Sequence, residues 1–288
     1  DMVCMNAEQA SSTIRAFNGV KHLIFCSSAS VYGNEYSSYP KKEDYLLKPF
    51  TRYALSKAEA EFSFIKAYEK DKFPITILRP SLTYGSKLGL YRQISTDSSW
   101  IDRIRKGKPI LICDDGSARC QFLHVNDAAY VFISLLGRKE CFGEVYNVVN
   151  AKPFTWKEYH IEAMNVIGKK VELIEVPFKD LSKFKIPRFG LCQDYTSHDA
   201  YYSSEKLLKI LPKFKSKISL NEGMHRVFKS MDEDGLIKNS FSQNWEDRII
   251  RKKNKGSFKN GLLINAFLFN FDRIMVFIKR RLLRLLRL

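Results

Sequence analysis

"FCSSASVYG", residues 25–33, decides how the rest of the chain is read. It ends an apolar run, "KHLIFCSS" at 21–28, whose unbroken hydrophobicity marks a strand of the fully buried, parallel-sheet kind. A second stretch, "RYALSK" at 52–57, supplies a partner: Tyr53 and Lys57 lie four apart on a helix and share one face. An ammonium beside a phenol favours the phenolate and lowers its pKa toward a range useful for acid–base work. A serine hydroxyl from the adjoining strand end would orient a substrate hydroxyl or carbonyl between itself and the phenol. Taken alone, a Tyr/Lys pair of this spacing usually marks a solvated helix face.

Working outward, "NAEQASSTIRAFNGV" reads as a helix ended by Gly19, with Ala10, Ile14 and Phe17 at core-facing spacing. "KPFTRYALSKAEAEFSFIKAYEKD" is a long helix and "FPITILRPS" the next strand. This strand–helix–strand rhythm predicts a parallel sheet with crossover helices. Beyond Gly85 a looser stretch leads to helix "SSWIDRIRKG", strand "PILIC" and turn "DDGS", then "FLHVNDAAYVFISLLG", strand "EVYNVVN", helix "TWKEYHIEAMNVIG" and strand "KVELIEVP". Thr155 and Glu158 have capping-box spacing. Periodicity weakens over 179–202, and "SSEKLLKIL" and "LNEGMHRVFKSMDEDG" close the body as helices.

The 288 residues can bury a substantial core as one α/β domain or a domain with a subdomain. The net charge of +17 is unevenly placed: residues 248–288 hold 12 Lys/Arg against one acid, and the rest holds 36 against 30. The body is therefore only mildly basic. Six cysteines form no Cys-x-x-Cys pair, and His22, His160, His198 and His225 are scattered singly, so no metal site is expected. No secretory signal is visible, and reduced thiols are expected. Asp114, Asp115 and Gly116 read as a turn, Asp127 as a helix start, and Arg103, Arg105 and Lys106 as a solvated helix face.

The combination "SSASVYG", "YALSK" and "ILRPSLTYG", followed by "DGSARCQFLHVNDAA", resembles the extended short-chain dehydrogenase/reductase family, the NAD-dependent epimerases and dehydratases. The resemblance runs from Asp1 to Leu236. It implies a partial Rossmann-like, doubly wound parallel sheet without its first strands and glycine-rich turn, plus a smaller substrate subdomain. The expected division is 1–85 for the remaining NAD-binding part and 86–237 for the substrate part, with a strand near 144–149 returning to the sheet. Residues 238–260 follow as a basic linker and 261–288 as a C-terminal amphipathic helix.

By the same resemblance Ser28, Tyr53 and Lys57 are catalytic, and NAD or NADP is the cofactor, held by Asn6, Ser27, Tyr53, Lys57, Pro80 and Ser81. A cap or surface amide is the plainer account of Asn6, and a strand-end hydroxyl bonded to backbone the plainer account of Ser81. Ser30, Tyr84, Arg119, Gln121 and His124 are implied for a sugar or nucleotide-sugar substrate, with a structural role the plainer account of His124. Ala29 and Ser30 follow Ser28 where sugar 4,6-dehydratases carry an acidic pair, so epimerisation or simple oxidation and reduction is expected rather than elimination. Cys120 and Gln121 stand where many relatives have Arg-Asp, which leaves Arg119, one position out of register, to reach a diphosphate.

No GxxGxxG occurs, and the residue that reads the adenosine ribose is missing too. A fragment of a longer reading frame or a degenerate paralogue is therefore expected. Over 261–288, Arg273, Arg280, Arg284 and Arg287 form one helical stripe opposite Phe271, Ile274, Ile278, Leu282 and Leu285. That pattern suits a helix lying on an anionic membrane surface, or one docked on the body or on a second subunit of a homodimer. The expected location is cytoplasmic, with peripheral attachment at the inner membrane face. The alternative is a non-catalytic, RNA-binding protein on the same scaffold, which the placement of charge in the tail disfavours.

Overall fold

Alternation of apolar strands with amphipathic helices leaves each helix one stripe to bury, and the sheet is what covers it. A computed structural model of the chain describes residues 1–34, 38–87 and 89–255. In chain order it runs through α1 (Ala7–Ala16), β1 (Leu23–Cys26), α2 (Arg52–Asp71), β2 (Ile75–Pro80), β3 (Leu82–Tyr84), α3 (Ser99–Arg105) and β4 (Ile110–Cys113). It continues with β5 (Arg119–Cys120), β6 (Phe122–His124), α4 (Val125–Leu135), β7 (Val145–Val148), β8 (Phe154–Thr155), α5 (Trp156–Ile167) and β9 (Leu173–Val176). Helices α6 (Phe178–Leu181), α7 (Glu205–Ile210), α8 (Leu220–Glu233) and α9 (Trp245–Asn254) complete it.

The central sheet is parallel in the order β1-β2-β7, in register Leu23–Ile75 and Ile77–Val145. One face buries Phe25, Ile75 and Ile77 against Ala10 of α1 and Phe64 of α2, and the other buries Leu78 and Val148 against Val131 and Leu135 of α4 and Leu207 of α7. This two-sided cover is the doubly wound, Rossmann-like arrangement. Two further parallel pairs, β3-β6 and β4-β9, carry the second core, in which Trp100, Phe122, Trp156, Tyr159 and Phe228 interlock.

Local signals set the helix ends. Asn6 Oδ1 accepts from Gln9 N at 2.9 Å to start α1. Thr51 Oγ1 does the same for α2 through Ala54 N at 3.2 Å. The capping box of Thr155 and Glu158 is formed, and Gly168 closes α5 with φ +75°, a conformation that favours glycine. Phe17, expected to face the core, is exposed because α1 stops at Ala16 and its C-cap leaves the helical phase.

The stretch 238–260, expected to be a basic linker, instead carries α9 packed onto the body. Trp245 and Ile249 join the apolar cluster of Leu111, Val176 and Leu181, and Glu246 is fully buried. Its carboxylate accepts from Arg92 Nη1 and Nη2 at 2.7 Å each and from Leu111 N at 2.9 Å, while Arg103 Nε lies 3.4 Å away. Arg103, expected on a solvated face, is thus wholly buried, and its Nη2 pairs with Asp247 at 2.8 Å. Asp127 is not the cap of α4, which is His124; its carboxylate accepts from Ser216 Oγ, Lys217 N and Ile218 N and holds the approach to α8. The helix read over 261–288 lies outside the described residues. Among the described residues no helix is long and apolar enough to cross a membrane.

Candidate active site

The carboxyl ends of β1 and β2 open into a cavity of about 400 Å³, within the roughly 300–1,000 Å³ of small-molecule sites. Ser28, Ser30, Tyr53, Pro80 and Ser81 all line it. Ser28 follows β1 and heads a one-turn helix, its Oγ accepting from Ser30 N at 3.2 Å. Tyr53 sits on the first turn of α2, half-exposed at 46%. Burial pushes its phenol above the ordinary 10.0, and a hydrogen bond from the Ser28 hydroxyl opposes that shift.

Lys57 departs from expectation. Its ammonium is buried one turn further along α2, where it donates to Cys4 O at 2.7 Å and Cys26 O at 2.9 Å and lies 5.0 Å from the Phe25 ring centre. Burial lowers its pKa. The phenol is therefore shifted up by desolvation, with Ser28 as its stabilising neighbour, rather than pulled down by the lysine. Lys57 braces the joint between α2 and the end of β1, and the serine–tyrosine pair alone faces the cavity.

Several residues expected at the site have other work. Asn6 is a helix cap on α1. Ser27 Oγ donates to Glu61, which grips Arg79 through Nε–Oε1 at 3.0 Å and Nη2–Oε2 at 2.6 Å. Arg79 Nη1 in turn donates to Tyr32 Oη, which donates to Asn147 Oδ1, both at 2.8 Å. This buried chain locks β1, α2, β2 and β7 together behind the cavity; it satisfies every charge it buries, the condition for such a network to hold. Tyr84 is a core residue, 2% exposed and edge-on to Phe122 and His124, so close to α8 that a Cβ on Gly223 would stand 2.2 Å from its hydroxyl. His124 caps α4, its Nδ1 accepting from Asn126 N at 3.2 Å. Arg119 lies outside the cavity lining, held by Asp199 Oδ2 at 2.6 and 3.1 Å. Gln121 does line the cavity, but its amide is spent on Asn150 O, Tyr202 O and Tyr202 N. Ser81 Oγ donates to Gln121 O at 3.1 Å, the backbone bond anticipated for it.

The far wall comes from the stretch where periodicity fails. Tyr195 and Thr196 line the cavity beside Tyr202, and the Tyr195 hydroxyl shares a 3.1 Å hydrogen bond with Thr51 Oγ1. Thr51 is the cap of α2, so this bond ties the far wall to the helix that carries Tyr53. Irregular, aperiodic chain between regular elements is where binding residues concentrate, and that was the available signal. A larger open groove of about 800 Å³, between the start of α5 and the start of α8, contains none of the expected site residues. Among the described residues no group of three or more His, Cys, Asp or Glu is placed to hold a metal ion.

Behind Tyr202, Lys41 is 1% exposed, donates to Gly33 O at 2.5 Å, and has its pKa lowered by burial from 10.5 to about 8. A lysine depressed in the fold disfavours folding while protonated, fully below about pH 8, and the penalty is relieved as pH rises toward the unfolded value of 10.5. Its contribution to stability should therefore rise by on the order of 3 kcal/mol across that window. Urea unfolding at about pH 7 and about pH 10 checks this. A gain of the same size in Lys41→Met would remove Lys41 as the cause.

Residues 7–149 match the NAD dependent epimerase/dehydratase family, and the chain belongs to that family through them. It is 25% identical over 177 residues to the 2'-dehydrokanamycin reductase of Streptomyces kanamyceticus, covering 62% of this chain and 50% of that protein. It is 32% identical over 136 residues to the dTDP-D-glucose 4,6-dehydratase of Mus musculus, covering 45% and 35%. The chain thus spans about a third to a half of these relatives. Its fold matches the UDP-glucuronic acid 4-epimerase of Bacillus cereus, solved in complex with NAD, with a TM-score of 0.61 at 20% identity, over 80% of this chain and 66% of that one.

Proposed function

We propose that the chain carries the proton-transfer half of an NAD(P)-dependent epimerase or oxidoreductase acting on a sugar. The carrying observation is that the Ser28 hydroxyl and the Tyr53 phenol share the wall of one cavity at the sheet's carboxyl edge, with Ser28 pulling the phenol's pKa down against the effect of burial. A nicotinamide cofactor, when bound, exchanges hydride with the substrate carbon. Pro80, Ser81 and Tyr53 offer a place for its nicotinamide end. The sequence holds no glycine-rich strand–turn–helix for its pyrophosphate, so the residues present fit only part of the cofactor.

The chain's own chemistry follows from the phenol. In the alcohol-oxidising direction Tyr53 Oη removes the substrate hydroxyl proton, and in the reducing direction it returns one to the carbonyl oxygen. Ser28 orients that oxygen and, by donating to the phenolate, steadies the charged form. Because the phenol is raised, it is protonated at neutral pH. Carbonyl reduction should be flat through neutral pH, whereas alcohol oxidation should rise with pH to beyond about 10, the ordinary tyrosine value. Steady-state rates in both directions, at millimolar cofactor to offset its weak hold on this chain, test this, and an oxidation rate that plateaus near neutrality would exclude Tyr53 as the base.

Calorimetric titration of the 288 residues with NAD⁺ and NADP⁺ is expected to give weak or no binding, since no anion-binding turn is present. Micromolar affinity would contradict this.

A further inference from the structure

Resting on the sugar reading above, we infer that the cavity takes an uncharged, polyhydroxylated glycoside rather than a nucleoside diphosphate sugar. Of the eighteen described residues that line it, ten carry a hydroxyl and none is a lysine, arginine, aspartate, glutamate or histidine. A diphosphate moved from water into such a lining would meet no cation. Charges are tolerated in protein interiors only when paired or multiply hydrogen-bonded. Arg119, the arginine that the sequence offers for a diphosphate, is taken by Asp199 through its backbone N, Nε and Nη2, with its guanidinium 4.3 Å from the Tyr201 ring centre. Releasing it would strand Asp199.

What the lining does offer matches a sugar ring. Three of its residues hold a buried polar atom without a hydrogen-bond partner: Ser30 Oγ, Thr96 Oγ1 and Trp156 Nε1. Tyr195 Oη lies close enough to Ser30 to feel its hydroxyl but is engaged with Thr51. Trp156 is fully buried, and its N–H is a donor only. Buried polar groups are normally satisfied; these three atoms have almost no accessible surface, so the Ser30 and Thr96 hydroxyls meet a ligand only when their side chains turn toward the cavity. Hydroxyls, which donate and accept, complement two alcohols and an indole N–H equally well, and the rings of Tyr53 and Tyr91 supply apolar faces for the sugar's C–H groups. The molecule is read by Ser28 and Tyr53 at its reacting hydroxyl and by the other hydroxyl-bearing residues of the lining elsewhere.

The test titrates the full chain with the methyl pyranosides of glucose, galactose, mannose and rhamnose, and with UDP-glucose and dTDP-glucose, by saturation-transfer NMR and calorimetry. At least one neutral glycoside is expected to bind about tenfold more tightly than either nucleotide sugar. Ser30→Ala and Thr96→Val should each weaken it by about tenfold, the worth of one satisfied buried hydrogen bond. Its affinity should change less than about twofold between low and roughly 0.5 M salt, because no charge pair is formed. Arg119→Ala should leave it unchanged. Tighter binding of UDP-glucose or dTDP-glucose, above all if Arg119→Ala weakens it tenfold, overturns the inference and leaves the sugar enzyme standing. Binding of neither class by the wild-type chain overturns both.

Discussion

Tyr53→Phe, assayed at millimolar cofactor, is expected to lower turnover by about 10²–10⁴-fold, the range of a lost general acid–base group, while the protein stays folded. The ring is kept, so the cavity wall keeps its shape. Only the hydroxyl is removed, from a half-exposed position, so stability should change by less than about 1 kcal/mol. A second readout needs no turnover. Spectrophotometric titration of the wild type should contain a phenol ionising above the ordinary 10.0 that disappears in Tyr53→Phe. In Ser28→Ala that phenol should move higher still, since the bond opposing burial has gone. Turnover within twofold of wild type in Tyr53→Phe would end the acid–base assignment. An unshifted phenol in Ser28→Ala would break the coupling of the pair.

The largest stability effect should come from outside the cavity lining. Glu246→Ala is expected to cost about 3–5 kcal/mol, the usual consequence of removing one partner of a buried ion pair. It would leave the Arg92 guanidinium, wholly buried and also bonded to Leu111 O, without its counter-charge, and Leu111 N without the carboxylate it donates to. Arg92→Ala should cost a similar amount, and the double variant clearly less than the two together, because both report one interaction. Urea unfolding of the three proteins measures this. Additive losses would mean that α9 is held mainly by Trp245 and Ile249. A loss below about 1 kcal/mol in Glu246→Ala would mean that the ion pair does not fasten the helix.

The contrast between these two sites indicates which features a sequence can carry. Ser28 and Tyr53 were legible because each is placed by local structure: the hydroxyl by the end of a continuous apolar strand, the phenol by a helix whose cap, Thr51, sits two residues before it. Lys57 was legible as a neighbour and misjudged as an influence. Helical spacing sets which face a side chain shares, but the carbonyls of Cys4 and Cys26 decide where a flexible ammonium ends. Arg119 and Tyr84 were misplaced for a related reason. Their partners, Asp199 and Gly223, lie 80 and 139 residues away, and no local pattern announces them.

The stretch 238–260 misled in the opposite direction. Its composition reads as solvated chain, yet Glu246 is shared by two buried arginines of the body, and Asp247 beside it also pairs with one of them, Arg103. A single residue carries no periodicity, so its role appears only when the helix is docked.

By itself the sequence determined the alternation of strands and helices, most helix ends, and the placement of Ser28 at a strand end and Tyr53 on the next helix, since apolar runs, caps and turn residues act over a few positions along the chain. Only the tertiary structure decided which charges are buried and paired, that the aperiodic stretch around Tyr195 closes the cavity, and that this cavity holds hydroxyls and no ions. Burial and pairing depend on residues far apart in sequence meeting in a medium where an uncompensated charge is too costly to keep.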